Sequence, residues 1–252
     1  MGLIDEGRKC DKHATVAYYE CDFNGRMTIS SLLKRIQQIS MEHCDLLGLG
    51  HEVFQSINMV FMLARLTMEI KRYPKANEKI VLITTPAEKP VKAQYKRTTV
   101  IINQDTGEEL VLVDARWVLC NLGTGRIERE KPNEIEFPKQ NSEDFELDMK
   151  MPKKDHNKFV SSCKHTVRYS NMDINKHLNN TVYADIICNA IPYSDMAEKE
   201  IKKVMVSYKN QGLYGDELVV TVNSKDIFDN SYFVIGNIGE KTCFESYIEF
   251  NK

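Results

Sequence analysis

The feature that most constrains this chain is an internal repeat. The strand-like run around Val16 to Tyr19, followed by Asp22 and Asn24, has a counterpart in the run around Val167 to Tyr169, followed by Asp173 and Asn175, at an offset of 151 residues. Farther along, Asn77-Glu78-Lys79-Ile80 matches Gly215-Asp216-Glu217-Leu218 at an offset of 138. Two matches in the same order, each at an equivalent place, imply one fold unit present twice. The 13-residue difference between the offsets falls between the helix and the strand after it, which predicts extra chain in the first copy around Gly48 to Asn58.

Periodicity fills in each copy. From Thr28 the apolar positions Leu32, Leu33, Ile36, Ile39, Leu46 and Leu47 recur as on one helix face, with Thr28 or Ser30 as cap and Gly48 as stop. The second helix starts after Asn179, a good capping residue, and buries Val182, Tyr183, Ile186, Ile187 and Ala190. Strand-like stretches follow at 57–72, 79–88, 92–103 and 109–121, and again at 201–209, 217–226, 231–238 and 242–250. A strand, a buried helix and a run of antiparallel strands is the order expected when one curved sheet wraps a helix, an α+β unit. Residues 128–160 hold Pro132, Pro138 and Pro152 among Asp, Glu and Lys and read as a linker, giving repeats at 1–127 and 161–252.

Composition narrows the function. A formal charge of −2 supplies no basic field, so nucleic acid and an anionic membrane surface are not implied partners. No apolar run approaches the roughly 20 residues that span a bilayer, and Asp5, Glu6, Arg8 and Lys9 interrupt any signal-peptide core. The seven cysteines are scattered without a C-x-x-C pair, and the six histidines without H-x-x-x-H spacing. That usage fits reduced thiols in a cytoplasm, with no metal and no cofactor expected.

The chemistry concentrates in Val167-Arg168-Tyr169-Ser170-Asn171-Met172-Asp173-Ile174-Asn175-Lys176-His177-Leu178-Asn179-Asn180. A carboxylate, several amides and an imidazole crowd a turn that leads into a buried helix, whose backbone N–H groups suit a developing oxyanion. In the first copy the run is Asp22-Phe23-Asn24-Gly25-Arg26-Met27, so Arg26 stands where the second copy has His177, the group that titrates near neutral pH. Asp173 and Asn175 can also simply build the turn, because Asx side chains bond their own backbone two residues on. Asn179 reads first as a cap, and Trp117, Met59, Phe61, Met62 and Met68 as core.

These residues resemble a known family. The strand, the Asp-x-Asn-x-His-x-Asn-Asn turn and the following helix are similar to the second hot-dog repeat of acyl-acyl carrier protein thioesterases. Tyr19, Asp22, Asn24, Gly25 and Arg26, then Leu63-Ala64-Arg65, Arg72-Tyr73-Pro74 and Ala115-Arg116-Trp117-Val118, are similar to landmarks of the first repeat in bacterial members. The resemblance implies two tandem hot-dog repeats, each an antiparallel sheet wrapped around a central helix, with an acyl-chain pocket in the first and the chemistry in the second. It implies hydrolysis of a fatty acyl thioester on acyl carrier protein in fatty acid biosynthesis, by a monomer or homodimer. It assigns Asp173, Asn175 and His177 as catalytic and Asn179 and Asn180 as substrate-binding. The fourth catalytic position falls on Gln211, where many members have Glu, and Gly212 stands where plant members have Cys, which excludes a cysteine nucleophile there.

An amide cannot remove a proton, so the base role falls on His177, with Asp173 as the alternative; with His177 as base, Asn175 and Gln211 position water and thioester and Asp173 orients Asn175 or His177. Acyl-coenzyme A as substrate, or a non-catalytic acyl-binding protein, are the alternatives. A hot-dog hydratase is disfavoured because Lys176, not proline, follows Asn175 and His177 lies four residues after Asp173.

Overall fold

A computed structural model of the chain describes residues 2–4, 7–139, 145–153, 158–224 and 230–251. The chain divides into two compact units, Met1–Ala64 with Lys71–Leu147, and Arg65–Ile70 with Asp148–Lys252. The first contains β1 (Gly2–Ile4), β2 (Lys9–Thr15), α1 (Ile29–Leu46), α2 (His51–Ser56), the first half of β3 (Met59–Ile70), β4 (Lys79–Pro86), β5 (Gln94–Asn103) and β6 (Glu109–Asn121). The second contains the Arg65–Ile70 end of β3, β7 (Lys158–Thr166), α3 (Asn180–Ala190), α4 (Tyr193–Glu198), β8 (Ile201–Tyr208), β9 (Glu217–Ser224), β10 (Ser231–Ile238) and β11 (Lys241–Phe250).

Strand order is the same in both units, β2-β4-β5-β6-β3 and β7-β9-β10-β11-β8, the repeat expressed as topology. Neighbouring strands pair antiparallel, and β9 shows how they bury one face: Leu218, Val220 and Val222 turn inward while Glu217 and Val219 face out. The Arg65–Ile70 segment pairs with β8, Arg65 opposite Ser207 and Glu69 opposite Lys203. In each unit one long helix lies on the strands, α1 against β2 and β4, α3 against β7 and β9. This is the α+β architecture expected.

Both helices begin and end as their sequences dictate. Thr28 caps α1 by accepting the Ser31 N–H at 3.2 Å, and Gly48, at φ 72°, turns the chain out beyond it. Leu32, Leu33, Ile36 and Ile39 are buried along α1, each contributing about 1.5–3 kcal/mol of transfer free energy. Leu46, expected on that face, is exposed at the helix end. On α3, Tyr183, Ile186, Ile187 and Ala190 are buried as expected, while Val182, expected with them, is only half-buried.

Several expectations are corrected. The strands before the two turns stop at Thr15 and Thr166, and Tyr18–Glu20 and Tyr169–Asn171 are single 3-10 turns. A side chain three residues on draws the backbone in: Glu20 Oε2 accepts the Ala17 N–H at 2.9 Å and Asn171 Oδ1 the Arg168 N–H at 2.8 Å. Nor do the extra 13 residues form an insertion, since α2 has a counterpart in α4, of equal length. They are spread out: α1 has 18 residues against 11 in α3, β3 has 12 against 8 in β8, and two more lie between the helices.

Within 128–160, Ile135 and Phe137 are buried in an aromatic cluster with Phe54 and Tyr95, and Leu147 is buried with its N–H on Asp114 Oδ2 at 3.3 Å. The stretch is therefore core-bearing and not a solvated tether, and β7 already begins at Lys158. The parts of that linker at 140–144 and 154–157, the last two residues of the expected strand at 217–226, and Asp5, Glu6 and His156 lie outside the described residues. Among the described residues no helix is long and apolar enough to cross a membrane.

Candidate active site

The turn between β7 and α3 is wired through one carboxylate. Asp173 Oδ1 accepts the N–H groups of Asn175 at 2.8 Å and His177 at 3.1 Å. The Asp173 N–H donates to the His177 carbonyl at 2.8 Å, and the Lys176 N–H to the Asp173 carbonyl at 3.1 Å. Asp173 thus grips the backbone of Asn175 and His177 and touches neither side chain through these bonds. Lys176 adopts the left-handed conformation, φ 63°, which costs a non-glycine residue roughly 1–2 kcal/mol. The strain is held immediately before His177, whose imidazole is half-buried, while the Asn175 side chain is exposed.

A second loop, between β8 and β9, closes on this turn. The Leu178 N–H donates to the Gly212 carbonyl at 2.9 Å, and Val167 exchanges bonds with Asp216 and Gly215 at 2.8 and 3.0 Å. A Cβ on Gly212 would stand 3.3 Å from Leu178 Cβ, so glycine relieves a tight approach that the first copy makes at the same 2.9 Å bond length with Pro74. Gln211 is adjacent to Gly212 and exposed, which brings it to the same end of the unit as His177. The first copy shows what these two backbone positions do with side chains. Their equivalents there are Arg26 and Tyr73, and the Arg26 guanidinium lies 5.6 Å from the Tyr73 ring centroid.

The N-terminus of α3 has less to offer an oxyanion than its sequence promises. Asn179 is the cap, its Oδ1 accepting the Thr181 N–H at 2.9 Å and the Thr181 hydroxyl at 3.0 Å. The N–H groups of Leu178, Asn179 and Val182 are spent on Gly212, Asn171 and Asn179 carbonyls. Among the described residues that leaves the Asn180 N–H as the uncommitted donor at the helix start, where several were expected.

Sequence reasoning missed the layer beneath. Tyr208, on β8, donates its hydroxyl to the Asn180 carbonyl at 3.2 Å. Tyr183, on α3, meets Tyr208 edge-on with ring centroids 5.5 Å apart, and its phenol oxygen is hydrogen-bonded by the Gly212 backbone. Burial pushes both phenols well above the ordinary tyrosine range, so they stay protonated. Comparing the copies was the available signal: at the same offsets the first copy has Leu32 and Ile70.

With this geometry in hand, known proteins give the context. Residues 7–136 match the family model of the acyl-ACP thioesterase N-terminal domain, and residues 153–252 that of the C-terminal domain. A chloroplastic palmitoyl-acyl carrier protein thioesterase of Gossypium hirsutum is 24% identical over 253 residues, covering 96% of this chain and 60% of that protein. A chloroplastic oleoyl-acyl carrier protein thioesterase of Arabidopsis thaliana is 23% identical over 228 residues, covering 83% and 61%. The chain thus spans about three fifths of the length of these curated relatives. Among solved structures, an acyl-ACP thioesterase from Bacteroides thetaiotaomicron superposes with TM-score 0.83 at 21% identity, covering 99% of this chain and 100% of that one. The 12:0-ACP thioesterase of Umbellularia californica gives 0.80 at 15% identity over 96% and 94%. At these identities the structures speak for the fold, two tandem hot-dog repeats.

Proposed function

This chain belongs to the acyl-ACP thioesterase family, and from that premise we propose that it hydrolyses the thioester of a fatty acyl chain carried on acyl carrier protein, releasing free fatty acid. The observation that carries the proposal is the contrast at one backbone position. Two turns share their wiring, and the second alone presents an imidazole there, beside the loop that carries Gln211.

In the proposed reaction His177 takes a proton from water as the water oxygen attacks the thioester carbonyl. The carbonyl π pair moves to oxygen, and the Asn180 N–H stabilises that oxyanion. Collapse restores the carbonyl, breaks the C–S bond and expels the pantetheine thiolate, which takes the proton from His177. Asn175 and Gln211 hold water and thioester by hydrogen bonds, with Asn179 and Asn180 lining the approach. Asp173 acts through the turn, keeping Asn175 and His177 in register. The seven cysteines are free thiols, which supports work in a reducing compartment such as the cytoplasm.

The test is fatty acid release from a panel of acyl-acyl carrier protein and acyl-coenzyme A substrates, with wild type beside His177→Ala. Loss on the order of 10²–10⁴ in rate is expected if the imidazole is the base, and near-wild-type release by the variant would overturn the assignment. Preference for the coenzyme A esters would change the carrier and leave the chemistry. The amide at Gln211 favours one second reading, an acyl-binding protein without activity. That reading predicts no release by wild type and a large gain in Gln211→Glu.

A further inference from the structure

We propose that Tyr208 and Tyr183 are positioning residues for this site, their hydroxyls setting the α3 N-terminus against the Gln211 loop; the inference rests on the hydrolase reading above. Tyr208 reaches Asn180, the residue whose N–H is uncommitted, and Tyr183 reaches the backbone of Gly212, which adjoins Gln211. The two rings touch edge-on at 5.5 Å, and Tyr183 is backed in turn by Phe244 at 5.3 Å. One rigid aromatic stack therefore spans from the proposed oxyanion donor to the loop that carries the proposed water-holding amide. Tyr183 and Tyr208 touch neither water nor thioester; they act through Asn180 and Gly212.

The duplication supplies the control for a merely structural role. The first copy builds the same turn, the same Met27–Pro74 clasp at 2.9 Å and the same helix start with Leu32 and Ile70 at these two positions. The fold thus needs bulk here and no hydroxyl. Nor does the Asn180 carbonyl need Tyr208 to be satisfied, since it lies in the first turn of α3, where carbonyls accept a helical N–H. A carbonyl oxygen has a second lone pair, and the phenol uses that one to fix an orientation. Two hydroxyls added in the copy that carries His177, one on the buried Tyr183 and one on the half-buried Tyr208, each bonded to a segment flanking the imidazole, are the mark of a positioning device.

The test removes oxygen atoms only, in Tyr208→Phe and Tyr183→Phe. Each is expected to lower kcat about 10-fold, the scale of one lost hydrogen bond, while KM stays within about twofold. Amide hydrogen exchange at Leu178 and Thr181 is expected to quicken by about the same factor, with amides of α1 unchanged. Unchanged kcat together with unchanged Leu178 exchange would overturn the proposal. So would exchange that quickens throughout both units with a falling unfolding midpoint, the signature of lost stability alone. If wild type releases no fatty acid but Leu178 exchange still responds, the hydrolase reading falls and the coupling of the two hydroxyls to the turn stands.

Discussion

Asp22 and Asp173 stand 151 residues apart and make the same backbone bonds, yet the surroundings of the two turns have parted. In the first, Arg26 Nη2 pairs with Asp22 Oδ2 at 2.9 Å, and Arg72 Nη2 bridges Glu78 at 2.6 Å and Glu108 at 2.8 Å. In the second those arginines are His177 and Asn210, and among the described residues no ion pair braces Asp173. The carboxylate common to both is a turn builder, and the residues that changed around it, where we place the proposed chemistry, are Arg26 to His177, Tyr73 to Gln211, Leu32 to Tyr183, Ile70 to Tyr208 and Pro74 to Gly212. One copy spends its charges locking the turn. The other has an imidazole there, and two tyrosines beneath the start of the helix that follows.

The largest expected effect that breaks or sharpens this contrast is kinetic. His177→Ala loses on the order of 10²–10⁴ in kcat, whereas Arg26→Ala at the matching position leaves kcat within about twofold. Steady-state kinetics on both variants decides it, and equal losses would end the division of labour between the copies.

Next in size is an acid response confined to the first copy. His43 is fully buried, its Nε2 facing the Gly7 carbonyl at 3.0 Å and its Nδ1 facing Arg97 Nη1 at 3.1 Å. Desolvation, then the nearby guanidinium, lowers its pKa to about 4. The unfolded chain therefore binds this proton first as pH falls, and stability drops through the window from about 6.5 to about 4, by up to about 3 kcal/mol. Urea midpoints at pH 7.5 and pH 5 measure it. His43→Gln is expected to flatten the slope in that window, and an unchanged slope would rule His43 out as its source.

Smaller effects test the shared wiring. Asp173→Ala and Asp22→Ala each free two backbone donors and are expected to cost about 1–3 kcal/mol in denaturant unfolding. A cost at only one of them would show that the two turns are not held alike. Smallest are the caps, where Asn179→Ala and Thr28→Ala are each expected to lose about 1 kcal/mol by the same measurement.

Much of this was legible in the sequence because it is local. Thr28, Asn179 and Gly48 set helix limits through their own backbone bonds, and alternation placed β4 to β6 and β8 to β11 within two or three residues. The Asp-x-Asn-x-His spacing located the turn, since an Asx side chain bonds residues two and four on. What misread was also local evidence without its partner. Polar, proline-bearing 128–160 looks like a tether until Ile135 and Phe137 meet Phe54 and Tyr95, which lie more than 35 residues away in the chain. The 13 extra residues looked like an insertion because composition cannot say that a helix simply runs longer.

The sequence by itself determined that one unit occurs twice, where each helix starts, and that an imidazole replaces a guanidinium in the second turn. These are properties of residue order and of bonds that close within a few residues. Only the tertiary structure decided that Asp173 works through backbone N–H groups, that Asn180 keeps the uncommitted donor, and that Tyr208, Tyr183 and Gly212 converge on the turn. Those depend on β8 and its loop returning from some thirty residues downstream to meet the turn, and which atoms meet there is fixed by packing across the sheet.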